Sequence, residues 1–172
     1  MKVFLAGLCL LAGVDATPTF DEFKVTEKFT GKPLAPVLRS RMQRNFRTVI
    51  RDAANAGPNF AGHYTLAEWG CGAGCVSMAI VDSRTGQTFD GPFSVLGYDL
   101  SYSYGGDEQL EYRIDSRLIL ARGCPGEKDC GTYYYEWTAN QFKLIRKVPA
   151  SKRSVSFRQA CMTRHRACCY GR

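Results

Sequence analysis

The sequence predicts an α+β domain, with one N-terminal amphipathic helix packed on a twisted antiparallel β-sheet of meander type. Two observations carry this. Between Pro36 and Ala54 the apolar residues recur at helical spacing. From Phe60 onward the period changes to two, in short runs separated by Gly, Asp, Asn and Pro. With 172 residues the chain fits a single domain, and 45% apolar against 23% charged residues separates it from disordered chains.

The first residues read as a leader. Lys2 supplies a positive start, Val3 to Val14 is apolar and uncharged, and Val14-Asp15-Ala16 offers a cleavage site before Thr17. A run of this length falls short of the roughly 20 residues a membrane-spanning helix needs, so no transmembrane segment is expected in the mature chain. A buried N-terminal helix is the alternative. Cys9 does not fit a lipidation site, because Leu8 precedes it where a small residue belongs. The expected organisation is a signal peptide over 1–16, a domain over 17–149 and a basic, cysteine-containing tail over 150–172, in a secreted or periplasmic protein.

Thr17 to Lys32 is mixed in character, an edge strand or an ordered arm. In the helix, Pro36 suits a first helical position, where its missing N–H is unneeded. Leu38, Met42, Phe46, Val49, Ile50 and Ala53 form the inward stripe, with Arg39, Arg41, Arg44, Arg47 and Arg51 over the remaining surface. Gly57-Pro58 stops it. On the first strand Tyr64 and Leu66 share one face, while His63, Thr65, Ala67 and Trp69 share the other. Val76, Met78 and Ile80 mark the second strand. Asp82-Ser-Arg-Thr-Gly86 is hairpin chemistry, and a return strand begins at Gln87 and ends at Gly91-Pro92. Ser94 to Asp107 reads as a long loop, a common place for function. Strands follow at Leu110 to Ile114 and Leu118 to Ala121, then a loop over 123–131. Tyr133, Tyr135 and Trp137 alternate on the next strand, and a turn at 138–141 leads into Phe142 to Arg146.

Charge is segregated. Residues 143–172 hold nine Lys or Arg and no acid, 17–52 hold eight basic and four acidic groups, and 53–142 hold five basic and eleven acidic. The net +7 therefore arises at the two ends. Such ends attract polyanions, nucleic acid among them, or are simply solvated.

After leader cleavage seven cysteines remain, an odd number that leaves one thiol over. In an oxidising compartment, Cys71 with Cys75 and Cys124 with Cys130 are disulfide candidates as two local staples, and pairing across the two loops is the competitor. On a helix, Cys161 and Cys168 stand about 10 Å apart along the axis, beyond disulfide reach. Three chemical readings compete with the staples. Zinc would draw on these four cysteines and His63, but the spacings are looser than the usual two-residue knuckle, so no metal and no cofactor is expected. A Cys75 nucleophile with His63 or His165 as base would need a helix where the sequence alternates like a strand. His63 with Glu68, Glu111 or Glu136 would make an acid–base set, yet alternation puts His63 and Glu68 on opposite faces. His63, Tyr64, Trp69, Tyr102 and Tyr104 are the binding candidates, and Tyr98, Tyr102, Tyr104, Tyr133, Tyr134, Tyr135, Trp69 and Trp137 are numerous enough for a stacking surface, though about half would serve the core.

NFAGHY, EWGCGAGC, IVDSRTG, YRIDSRLIL and the YYYEW…FKLI hairpin, in that order over Gly57 to Arg146, resemble a bacterial secreted or periplasmic family with no assigned activity. The resemblance implies export and transfers no catalytic residue. The expected function is a non-enzymatic binding module acting on a protein or an anionic envelope component. An envelope hydrolase using His63 with a carboxylate or Cys75 is the alternative.

Overall fold

The computed structural model describes residues 16–72, 74–96, 109–127 and 129–150. The expected leader, the basic tail with Cys161, Cys168 and Cys169, and most of the long loop, Tyr102 and Tyr104 included, lie outside these residues.

The described chain is α+β. Two helices, α1 (Arg41–Asn45) and α2 (Arg47–Ala56), precede eight strands: β1 (Tyr64–Gly72), β2 (Cys75–Asp82), β3 (Thr88–Asp90), β4 (Val95–Leu96), β5 (Leu110–Tyr112), β6 (Leu118–Pro125), β7 (Gly131–Thr138) and β8 (Gln141–Pro149). All strand pairings are antiparallel.

The sheet departs from an uninterrupted meander at its third strand, which is broken into pieces. Among the described residues β3 pairs only with β2, β5 pairs only with β6, and β4 pairs with both β2 and β6. Two sheets result, β1–β2–β3 and β5–β6–β7–β8, joined through the short β4. Their facing sides enclose the main core, to which Leu66, Met78, Ile80, Val95, Leu110, Ile119, Tyr133 and Trp137 contribute. β6 runs through Cys124 and Pro125, which the sequence reading left in a loop, because β4 supplies a pairing partner there.

Each outer face is covered by a segment from the N-terminal part of the chain. The helices lie over Ala67, Trp69, Ala79 and Val81, and Phe20 and Phe23 pack on Leu118, Leu120 and Tyr134.

The helix differs from expectation in two ways. It starts at Ser40, not Pro36: the Ser40 hydroxyl accepts from Gln43 N (3.0 Å), and the Gln43 side chain accepts from Ser40 N (3.2 Å) in a capping box. Val37 before it is extended and bridges Gln87. The helix also breaks at Phe46 (φ −103°, ψ 24°). The break lets the Phe46 ring stack on Trp69 at 4.5 Å and shifts the buried stripe to Ile50 and Ala54, leaving Val49 36% exposed.

The two free borders of the fold are treated differently. At β1 the Asn59 side chain acts as a short strand, donating to Leu66 O (3.0 Å) and accepting from Leu66 N (2.7 Å). β8 closes the other border and carries Lys143, Arg146 and Lys147, charges of the kind that discourage edge pairing.

Candidate functional site

The sulfur chemistry is settled by two local bridges, Cys71–Cys75 and Cys124–Cys130, with Cα atoms 5.1 and 4.0 Å apart. Gly72 (φ +143°) and Gly74 (φ +67°) give the first loop its tight path. Both bridges stand on one rung: Cys75 pairs with Leu96 of β4, and Leu96 pairs with Cys124. Bonded in this way, Cys75 has no thiolate to attack with, and none of the four cysteines is available to a metal.

The cleft forms elsewhere, around His63 and Tyr64. It has a volume of about 500 Å3, and its lining includes Lys24 to Glu27 on one side, His63, Tyr64 and Trp137 at the base, Thr138 to Asn140 on the other side, and Arg117. Local sequence explains each wall. Residues 60–64 make a tight turn in which Phe60 and Tyr64 exchange backbone hydrogen bonds, with Ala61 at φ +43° and Gly62 at φ +83°. Gly62 is required, since a Cβ there would stand 2.3 Å from Glu27 O. That close approach brings the arm against the turn, and Phe29 N donates to Gly62 O (3.0 Å). The arm is also tied to the 113–117 segment, where Val25 N donates to Asp115 O (2.8 Å) and Arg117 N to Phe23 O (2.9 Å). On the far side, Ala139 (φ +48°) and Asn140 (φ +60°) close the β7–β8 hairpin in a left-handed two-residue turn.

The inward alternation of β7 carries Trp137 to the base of the cleft. It is 3% exposed, and Tyr64 (5.4 Å), Phe89 (5.5 Å) and Phe142 (4.9 Å) surround its ring. Among the described residues its Nε1–H has no hydrogen-bond partner. The indole sits close enough to the Tyr64 phenol to favour the phenolate, without reaching hydrogen-bond geometry. Tyr64 instead donates to Asn140 Oδ1 (3.1 Å), and burial is the main cause of its raised pKa. An unpaired donor of this kind costs about 1–3 kcal/mol in the free protein.

His63 packs on the Tyr64 ring at 4.1 Å. Its pKa lies below the ordinary 6.5, chiefly through burial and then through the Arg84 charge, against which Asp82 and Glu27 act only in part. The imidazole is therefore neutral at pH 7. Its Nε2 is 4.0 Å from Asp82 Oδ1, too far for a hydrogen bond. The Asp82 carboxylate is committed to its own turn, accepting from Arg84 N (2.8 Å) and the Thr85 hydroxyl (2.9 Å). Glu27 is paired with Arg84 (2.5 Å), which holds its carboxyl below the usual range.

Other sequence candidates lie apart from the cleft. Trp69 is buried under the helices, on the face of β1 opposite Tyr64. Glu68 accepts from the Tyr112 hydroxyl (2.6 Å), Glu111 pairs with Arg122, and Glu136 pairs with Arg117 (3.0 Å). None of these three carboxylates lines the cleft. The site thus unites His63, Tyr64 and Trp137 with three residues the sequence reading did not single out: Lys24, Arg117 and Asn140. The strand alternation set Trp137 on one face with Tyr133 and Tyr135, and the fold turns that face inward.

No family model matches the chain, and no curated protein or solved structure matches it significantly.

Proposed function

We propose that this chain is an exported, disulfide-stapled binding domain, and that the His63–Trp137 cleft receives a small ligand or chain end bearing a hydrogen-bond acceptor. The unpaired Trp137 N–H carries this reading. A ligand oxygen on it would supply the partner the protein withholds, in a partly dehydrated site where a hydrogen bond counts for most. Lys24 lines the cleft and forms no ion pair among the described residues, whereas Arg117 is held by Glu136, so Lys24 is the group that favours a carboxylate or another anionic acceptor. The left-handed backbone at Ala61 and Ala139, on opposite walls, is strain of the kind that collects around binding sites.

The non-enzymatic reading is preferred because the described lining places no nucleophile in hydrogen-bond contact with His63 and no carboxylate close enough to orient it. Export is supported by the two disulfides and by the resemblance of the 57–146 pattern to secreted and periplasmic proteins. Among the described residues no helix is long and apolar enough to cross a membrane.

The test uses N-acetylated amino acids and short peptides with free carboxylates as probes, with the indole N–H resonances as the readout. One resonance, assigned by its loss in Trp137→Phe, should shift on binding, and that variant should bind at least about tenfold more weakly, the effect of one lost hydrogen bond. Equal binding by Trp137→Phe would remove the reading. Turnover of a probe that is abolished in His63→Asn would replace it with the hydrolase.

A further inference from the structure

Arg41, Arg44, Arg47 and Arg51 follow one another at steps of three, three and four residues, which sets them along one side of α1 and α2. The opposite side is buried on the sheet through Met42, Phe46, Ile50 and Ala54. The arginine stripe therefore faces outward, and all four residues are exposed, as is Arg39 just before the cap. Among the described residues none of the five forms an ion pair. Arg44 Nη1 donates to Arg39 O (2.5 Å), which orients the guanidinium and leaves its charge uncompensated. Two acids are near. Asp52 is exposed on α2, and the Asp90 carboxylate accepts from the Ser40 hydroxyl (2.9 Å) and Gln43 Nε2 (2.6 Å) at the start of α1.

Exposed apolar side chains also occur close in sequence to these cations. Leu34 (53%) and Val37 (46%) lie just before the helices and Val49 (36%) lies on α2. No residue of either helix lines the cleft.

We propose that this stripe docks the domain on an anionic lipid surface, leaving the cleft open for its own ligand. Lipid suits the face better than nucleic acid does. Exposed aliphatic groups beside cations fit the boundary between headgroup and acyl chain. The aromatic ring of these helices, Phe46, is turned inward onto Trp69, so it is not presented to stack a base. The contact is electrostatic, with α2 alone presenting about 15 Å of helix to the surface.

The experiment is co-sedimentation of the full chain with vesicles made of equal parts phosphatidylglycerol and phosphatidylcholine, or of phosphatidylcholine alone. Binding should need the anionic lipid and weaken as salt rises. Arg44→Gln/Arg47→Gln/Arg51→Gln should bind about a hundredfold more weakly, about fivefold for each arginine, with an unchanged melting temperature. Lys152→Gln/Arg153→Gln/Arg158→Gln in the tail should retain most of the binding. The proposal is overturned if the helix variant binds as the parent does, if only the tail variant loses binding, or if duplex DNA binds more tightly than the anionic vesicles.

Discussion

The two disulfides flank β4, which joins the two sheets, and their removal tests that arrangement quantitatively. The perturbations are Cys71→Ser/Cys75→Ser, Cys124→Ser/Cys130→Ser, and all four together. The bridges span sequence separations of 4 and 6. Loop-closure entropy for rings that small gives about 2 kcal/mol each at 25 °C, and about 4 kcal/mol for both if they act independently. They are not independent in the fold, because Cys75 and Cys124 pair with the same residue, Leu96. With one bridge intact, one of the two strands flanking β4 stays held at that end, and with neither both are free to fray there. The fourfold variant should therefore lose more than the sum of the two pairs, by at least about 0.5 kcal/mol, the lower range of coupling between contacting sites. Urea unfolding followed by tryptophan fluorescence measures all three, and each single pair should lower Tm by about 4–8 °C. Losses below about 0.5 kcal/mol per pair would contradict the staple role, and simple additivity would contradict a shared junction.

Three further outcomes follow from local geometry. Asn59→Ala removes both side-chain hydrogen bonds to the Leu66 backbone and leaves that edge unpaired, so urea unfolding should show a loss of about 1–3 kcal/mol. Ala139→Gly relieves a non-glycine residue at φ +48° and should raise stability by about 1 kcal/mol on the same assay. His63 has a folded-state pKa below its unfolded value, so the unfolded chain binds the proton more readily. Stability is then complete above about pH 6.5 and falls as the pH drops below it. Thermal melts between pH 7 and pH 5 should show the decline, and His63→Asn should flatten it.

Much of this architecture is legible in the chain because it is local. Alternation grouped Tyr64 with Leu66, Met78 with Ile80, and Tyr133 with Trp137 on shared faces, since a strand has only two sides, and the fold turns those faces to the main core. Turn chemistry placed the Asp82–Gly86 hairpin, where Gly86 takes φ +72° and the Asp82 carboxylate bonds the turn. The helix start was missed although Ser40-x-x-Gln43 is a capping signature, because Pro36 offered an earlier start of equal local merit. The break at Phe46 had no local signal: it serves a stacking contact with Trp69, a residue of β1.

The candidate site shows the same division. His63 and Tyr64 stand out by residue type, and two local bridges were the expected pairing of Cys71, Cys75, Cys124 and Cys130. Trp69 stood out as well, but its place under the helices depends on which sheet face they cover. By itself the sequence determined the composition of the faces and the turns and made two local staples the expected pairing, all set by neighbours a few residues apart. Only the tertiary structure decided that an arm near residue 25, a turn at residue 62 and a hairpin at residue 139 enclose one cleft with an unpaired indole at its base. Those segments meet through packing over separations that no short-range pattern encodes.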